Sequence, residues 1–469
     1  MNFVEFQLRA WVASDDELEV LVHSSPVGAM RQPLKVPFNL HEYNSICEMI
    51  RRAWLSEPGL LPQIVKAGKQ LSRFLLPTEV YSYLIRSLAK IGDDGLRLRL
   101  CLDQALVDGP WEFLHRPDAL EDELMDGFLV LNPQLSLVRE APVDSLKLEP
   151  SDKQERMVIV GAYKFDGEDV WQVEQERQQL ISALEPVKTF LKIDDKFVTA
   201  AGDNIEEALK TPVSVFHYSG HVQIEGSRGF LVCSITSNDF QNSVCDSNHF
   251  DQLYSDRKLD VLLRRSGARI GVFSACNSGQ WPFVEPLLKA GLPALIGAQG
   301  NTMCDAAIVF CQKLYESLAI GLSLDEAVIY ARLRLQQDKV VYGADSCEWG
   351  SYMVYMPTTE AVLLPKATQA TQVQAQQEEV HRNVSQMISK RSLRLALMKE
   401  FDEAELQVLC ADIEEDLKRE GVELEIDLEV AGGTSKEGKI LNLIEYLERR
   451  DSLGYLVTAA QRERPSFSI

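Results

Sequence analysis

Polar and apolar positions alternate at the start of this chain, then take helical spacing, then gather into short apolar runs. Between Phe3 and Val22, apolar Phe6, Leu8 and Ala10 lie two apart, which predicts two strands. From about His41 to Ala89 the spacing is helical, with breaks expected near Pro58 and Pro62. Gly95 to Leu102, GLRLRLCL, alternates again and predicts a half-buried strand, and Gly127 to Arg139 predicts an extended pair.

Buried strands between helices are expected from Met157 onward. Met157–Ala162, Val187–Leu191, Val213–Phe216, Arg269–Ala275, Pro293–Gly297 and Ser351–Met356 are apolar and of strand length. Helical periodicity marks Val170–Leu184, Asp305–Ala319 and Leu324–Leu335. This alternation predicts an α/β fold with a doubly wound, mostly parallel sheet covered on both faces. Residues 1–150 form an N-terminal α+β part and 151–365 the main α/β domain. Residues 366–388, rich in Gln, Ala and Thr, read as a linker. Helical spacing in Leu393–Leu397, Leu406–Leu417, Ile440–Leu447 and Leu453–Ala460 predicts a small C-terminal helical bundle over 389–469.

Composition narrows the function. The 469 residues are 45% hydrophobic and 25% charged with a net charge of −22, and no basic stripe is present, so nucleic acid is not an expected partner. No apolar run reaches the ~18 residues of a membrane span, and the first residues lack a signal-peptide pattern. A cytoplasmic protein with no membrane partner is expected. Nine scattered cysteines form no CxxC pair, which argues against a zinc knuckle or redox dithiol and for reduced thiols, one of them a nucleophile. Neither a metal nor a cofactor is expected; a thiol acyl-transferase would need a cofactor pocket, and no phosphate-cradling Gly-rich loop supports one.

Two segments carry candidate chemistry: His217-Tyr218-Ser219-Gly220-His221 and Ser274-Ala275-Cys276-Asn277-Ser278-Gly279. Each follows a predicted buried strand, and in open parallel sheets catalytic groups gather at that edge. Neighbouring strands would bring the imidazole of His221 beside the thiol of Cys276, as Cys–His catalysis requires. His221 precedes Cys276 by 55 positions, near the ~50 of caspases. The backbone amides of Val222 and Cys276 are the expected oxyanion donors, small neighbours admit a substrate backbone, and Gly279 relaxes the turn. Taken singly, such a cysteine also reads as a core residue and such a histidine as a loop residue. His217 is expected to be a buried structural histidine, because no third metal ligand is near. Trp111 reads as a packed core aromatic rather than a substrate platform. Asp305 reads as a helix N-cap.

From about Leu96 to Met356 the chain resembles the CHAT domain, a caspase-like cysteine protease module. Matching segments include LRLRLCLD, Pro110-Trp111-Glu112, Leu131-Asn132-Pro133, Ser136 to Arg139, FHYSGH and SACNSG. Phe310, Tyr315, Gly321, Ala327, Arg332, Trp349 and Tyr352 match the closing helices and strand. The resemblance implies a caspase-like fold and a cysteine endopeptidase with His221 as general base and Cys276 as nucleophile. Val222 stands where the family usually has Gly. An acidic residue near Asp305 sometimes binds a basic substrate side chain in related proteases. Residues from about Leu393 to Pro465 resemble a bacterial effector-associated, death-like adaptor domain, through Leu395-Ala396-Leu397, Phe401, Glu405-Leu406 and Leu443 to Arg450. This implies a partner protein with a like domain, a recruited protein substrate and a role in prokaryotic antiviral defence or conflict signalling. The alternative is a caspase-like scaffold or adaptor with weak or lost catalysis.

Overall fold

The computed structural model describes residues 1–53, 55, 57, 59–120, 124–140, 155–161, 170–185, 191–199, 202–233, 252–337, 346–359, 362, 393, 397–419, 436–448, 456, 459–460 and 462–464. The chain divides into two compact units, Met1–Gln369 and Ala370–Ile469. The expected linker at 366–388 lies outside the described residues.

The first unit begins with strands β1 (Phe3–Ser14), β2 (Glu17–Ser24) and β3 (Leu34–Pro37), which bury Phe6, Leu8, Ala10, Leu18 and Val20. Helices α1 (Leu40–Arg52), α2 (Leu61–Leu75) and α3 (Thr78–Ile91) follow. The Asn39 side chain caps α1 by accepting from the Glu42 amide. The break expected near Pro58 and Pro62 falls between α1 and α2: Pro58 lies outside the described residues, and Pro62 sits in the first turn of α2, where no amide donor is needed. A second interruption, not anticipated, falls at Pro77, the N-cap of α3.

Strand β4 (Gly95–Leu102) is buried on both faces, which corrects the half-buried expectation. Its arginines are enclosed rather than solvated. Arg97 forms a double hydrogen bond to Asp325 and a 2.7 Å contact to Glu5, and Arg99 pairs with Glu5 at 2.9 Å. Buried arginines are tolerated when every donor has a partner, and alternation alone cannot see those partners. The extended pair expected over 127–139 is one strand, β5 (Leu135–Glu140), because residues 129–131 form a 3-10 turn and the Asn132 side chain accepts from the Gln134 amide.

The remaining elements alternate: β6 (Glu155–Gly161), α4 (Val170–Ala183), β7 (Leu191–Thr199), α5 (Gly202–Ala208) and β8 (Val215–Ser219). Next come a three-stranded antiparallel sheet, β9 (Val222–Glu225), β10 (Arg228–Cys233) and β11 (Gln252–Ser255), and then α6 (Asp256–Ser266). The series ends with β12 (Ile270–Ser274), α7 (Trp281–Lys289), β13 (Ala294–Ala298), α8 (Cys304–Ala319), α9 (Leu324–Gln337) and β14 (Tyr352–Tyr355). β7 begins where the strand expected at 187–191 ends, and residues 186–190 lie outside the described residues.

Among the described residues the main sheet has eleven strands in the order β3-β2-β1-β4-β5-β14-β13-β12-β8-β6-β7. Only the β1–β2, β2–β3 and β13–β14 pairs are antiparallel, so the sheet is mostly parallel, as expected. It continues across the boundary expected at residue 150 through β14, which pairs with β13 on one side and β5 on the other. Alternate residues of the central strands point to opposite faces. Val215, Ile159 and Val272 join the core that holds Leu180 of α4 and Phe310 of α8, whereas Phe216, Val158 and Phe273 join that of Leu259 on α6 and Phe283 on α7.

In the second unit, α10 (Glu403–Arg419) and α11 (Lys436–Glu448) share a core of Leu406, Leu409, Ile413, Ile440, Leu443 and Leu447. A capping box starts α10: Asp402 accepts from the Glu405 amide at 2.8 Å, and Glu405 accepts from the Asp402 amide at 2.7 Å. Arg464 stacks over Phe401 at 4.6 Å and reaches Glu405 at 2.7 Å, tying the end of the bundle to its first helix.

Asp325 accepts from both Arg97 and Ser136 in a buried setting. Asp325→Ala leaves Arg97 short of a partner and is expected to destabilise the first unit by about 3 kcal/mol. Urea unfolding checks this, and an unchanged midpoint would refute it.

Candidate active site

β8 and β12 are parallel neighbours in register: Tyr218 pairs with Phe273 and Ser219 with Ser274. His221 and Cys276 therefore each lie two residues beyond the same paired position. Both side chains line one cleft of about 80 Å³, together with Glu176, Ser274, Thr302, Cys304 and Tyr352. Cys276 is half-buried, and its sulfur stands 3.9 Å from the Thr302 carbonyl.

The turn that presents Cys276 is held by the backbone. Asn277 has φ 62°, a left-handed conformation that asparagine tolerates better than most residues. Its amide donates to the Gly300 carbonyl at 3.2 Å, and the Gly279 amide donates to Ala298 at 2.8 Å. The Ser278 hydroxyl donates to the Phe273 carbonyl and accepts from the Ala298 amide, at 2.8 and 2.9 Å. Gly279 does not supply the turn's unusual torsion, as the sequence suggested; Asn277 does. What Gly279 supplies is close approach, since a Cβ there would lie 2.7 Å from the Met353 sulfur and 3.0 Å from the Gly297 carbonyl.

His221 is set by a phenol. The Tyr218 hydroxyl accepts from the His221 amide at 3.2 Å and donates toward the Val232 carbonyl at 2.7 Å. The Val232 amide donates to the His221 carbonyl at 2.9 Å, so 221 and 232 form a hydrogen-bonded pair with the phenol inserted into one of its two bonds. Hydrogen-bonded and non-hydrogen-bonded pairs alternate along an antiparallel ladder. Val222, paired with Leu231, is therefore a non-hydrogen-bonded position, and its amide points away from β10. Among the described residues β9 is the edge of its three-stranded sheet, and none of the described strands of that sheet takes up this amide.

A buried polar group lies on the face of α4 and α8. His217 faces Tyr315 through Nδ1 at 3.1 Å, and its Nε2 is 3.3 Å from Glu176 Oε1, close but poorly aligned for a hydrogen bond. The Ser219 hydroxyl donates to Glu176. Cys311 completes a set in which Glu176, His217 and Cys311 place ligand-type atoms within 4.8 Å of one another. This corrects the expectation that no third ligand lies near His217: α4 and α8 bring one each, from positions remote in sequence. Burial, then Glu176, pushes the Cys311 thiol well up, which keeps it protonated and disfavours it as a nucleophile or metal thiolate. His217 itself is buried, as expected.

Asp305 is exposed in the first turn of α8 and is not its N-cap, which is Met303. The helix starts at Cys304, so the carboxylate faces the positive end of the helix dipole instead of capping it. Trp111 is buried, stacks on Tyr43 with ring centroids 5.6 Å apart, and donates to the Leu106 carbonyl at 2.8 Å. It is a core residue. Glu176 and Cys304 went unnoticed in the sequence. Glu176 sits in a helix that carries no motif, and Cys304 is one of nine scattered cysteines.

A Cβ on Gly297 would lie 2.6 Å from Ser278 and 2.7 Å from the Gly279 amide. Gly297→Ala is expected to push the Cys276 turn off β13, costing about 1–3 kcal/mol by overpacking. Urea unfolding together with the alkylation rate of Cys276 checks this; a wild-type value for both would contradict it.

No curated protein matches this chain. Similar solved structures include the Arg specific cysteine proteinase gingipain R, at 13% identity and TM-score 0.35, covering 69% of this chain and 75% of that one. A complex of the Porphyromonas gingivalis RgpB pro- and mature domains is similar at 14% identity and TM-score 0.34, covering 67% and 75%. A Saccharomyces cerevisiae separase–securin complex is similar at 13% identity and TM-score 0.30, covering 61% of this chain and 17% of that one. Residues 393–465 match the model of Effector-associated domain 7. Residues 65–357, more than half of the chain, match the CHAT domain, and the chain belongs to the CHAT domain family.

Proposed function

We propose that this chain is a cysteine endopeptidase with Cys276 as nucleophile and His221 as general base. The observation that carries the reading is the shared cleft, in which both side chains stand just beyond paired strand ends. His221 takes the proton from Cys276 Sγ, and the sulfur attacks the carbonyl carbon of the scissile peptide. The tetrahedral oxyanion is met by the amides of Cys276 and Val222, the latter unspent in its own ladder. His221 then protonates the leaving amine, and water releases the acyl group from sulfur. Val222 in place of glycine leaves this role intact, because the donor is backbone. Asp305, one residue beyond Cys304, meets a basic substrate residue at the rim.

The C-terminal unit recruits. Its adaptor domain pairs with a like domain on a partner protein in a prokaryotic defence pathway, and tethering raises the local concentration of protease at the target to about millimolar.

Cys276→Ala and His221→Ala are each expected to abolish cleavage, losing at least about 100-fold, with thermal unfolding unchanged. New protein N-termini after induction of wild type, compared with Cys276→Ala, read this out; equal sets would overturn the proposal. Deleting residues 385–469 is expected to remove the adaptor-dependent partner from pull-downs, and an unchanged partner list would refute recruitment.

A further inference from the structure

Among the cysteines whose side chains are described, Cys276 and Cys304 differ from the rest in lining the cleft. Cys47, Cys311, Cys347 and Cys410 are buried, and Cys101 is half-buried against Glu140. Burial pushes the thiol of Cys47 up to about 11 and that of Cys101 to about 12, with Glu140 adding to the latter. Such thiols stay protonated and react slowly. Cys276 is half-buried, as Cys101 is, and Cys304 is exposed; unlike Cys101, both line the cleft beside His221.

The backbone brings them together. The Cys276 sulfur rests 3.9 Å from the carbonyl of Thr302, two residues before Cys304, so the segment carrying the second thiol runs past the first. Cys304 is the first residue of the sixteen-residue helix α8. Accessible thiols at helix N-termini are of the reactive kind. Cys276 sits on a turn whose torsion is held by Asn277, whereas Met303, the exposed N-cap before Cys304, uses no side-chain bond to fix that end of the helix.

We infer that Cys304 is the resolving partner of Cys276, and that a hydroperoxide converts the two thiols into an intramolecular disulfide across the cleft. In the first step the Cys276 thiolate attacks a peroxide oxygen. An S–O bond forms, the O–O bond breaks, and the leaving hydroxide (or alkoxide) takes a proton. In the second step the Cys304 thiolate attacks the Cys276 sulfur. An S–S bond forms, the S–O bond breaks, and the hydroxide leaves as water. The two sulfurs together lose two electrons and the peroxide gains them. The disulfide closes the cleft to peptides and spares Cys276 from irreversible oxidation to the sulfinic acid; the consequence for activity rests on the protease reading above, whereas the disulfide does not.

Hydrogen peroxide added to the full chain, followed by alkylation and mass spectrometry under non-reducing conditions, tests this. The expected product is a monomer two hydrogens lighter, with a cross-linked Cys276–Cys304 peptide that dithiothreitol restores. Cys304→Ser is expected to gain oxygen on Cys276 instead and to lose recovery by dithiothreitol at least tenfold. Sulfinic acid on Cys276 of wild type beside an unmodified Cys304, or a disulfide only between two chains, would overturn the inference. If the disulfide forms in a chain that cleaves nothing, the protease reading fails and the thiol pair stands.

Discussion

The parallel, in-register pairing of β8 with β12 is the constraint on which the site depends. Adjacent strands lie about 4.8 Å apart, so two loops leaving paired residues at the same edge start within side-chain reach of each other. Had the two strands been separated by a third, a histidine and a cysteine at the same sequence spacing would have opened into different loops. The buried faces fix that register: Val215 and Val272 pack toward α4 and α8, Phe216 and Phe273 toward α6 and α7. A slip of one residue would invert both sets, at a cost no surface contact could offset.

Around this pair, Cys276 and His221 each have their own backbone support. Behind Cys276, the Ser278 hydroxyl and the glycines at 279 and 297 seat the turn against β13. For His221 the support is Tyr218, whose ring packs among the residues of the α6 and α7 face while its hydroxyl bridges His221 itself and Val232 of β10. The opposite face carries the His217, Glu176 and Tyr315 group, so consecutive residues of β8 serve different purposes on different sides of the sheet. Sites held in this way, by strand ends and packed turns, are preorganised rather than assembled by the ligand.

Much of this was legible from the sequence because the central strands are apolar runs bounded by polar turns. MVIVG, SVFHYS, RIGVFS and PALIG announce themselves, and the two motifs follow directly from two of them. What stayed hidden depends on partners remote in the chain. Arg97 and Arg99 read as solvent-facing because Asp325 lies 228 positions from Arg97. Glu176 reached the cleft from a helix with no motif, and β9 and β11, at four residues each, are too short to stand out from a loop. Asn277 looked like an ordinary polar neighbour, whereas its torsion sets the turn.

The account stands on His221 acting on the sulfur of Cys276, and covalent labelling by a peptidyl acyloxymethyl ketone tests that most directly. The expected result is one adduct, on Cys276, formed at least about 100-fold more slowly in His221→Ala. Labelling spread evenly over Cys276 and Cys304, or a rate on Cys276 that His221→Ala leaves unchanged, would contradict it.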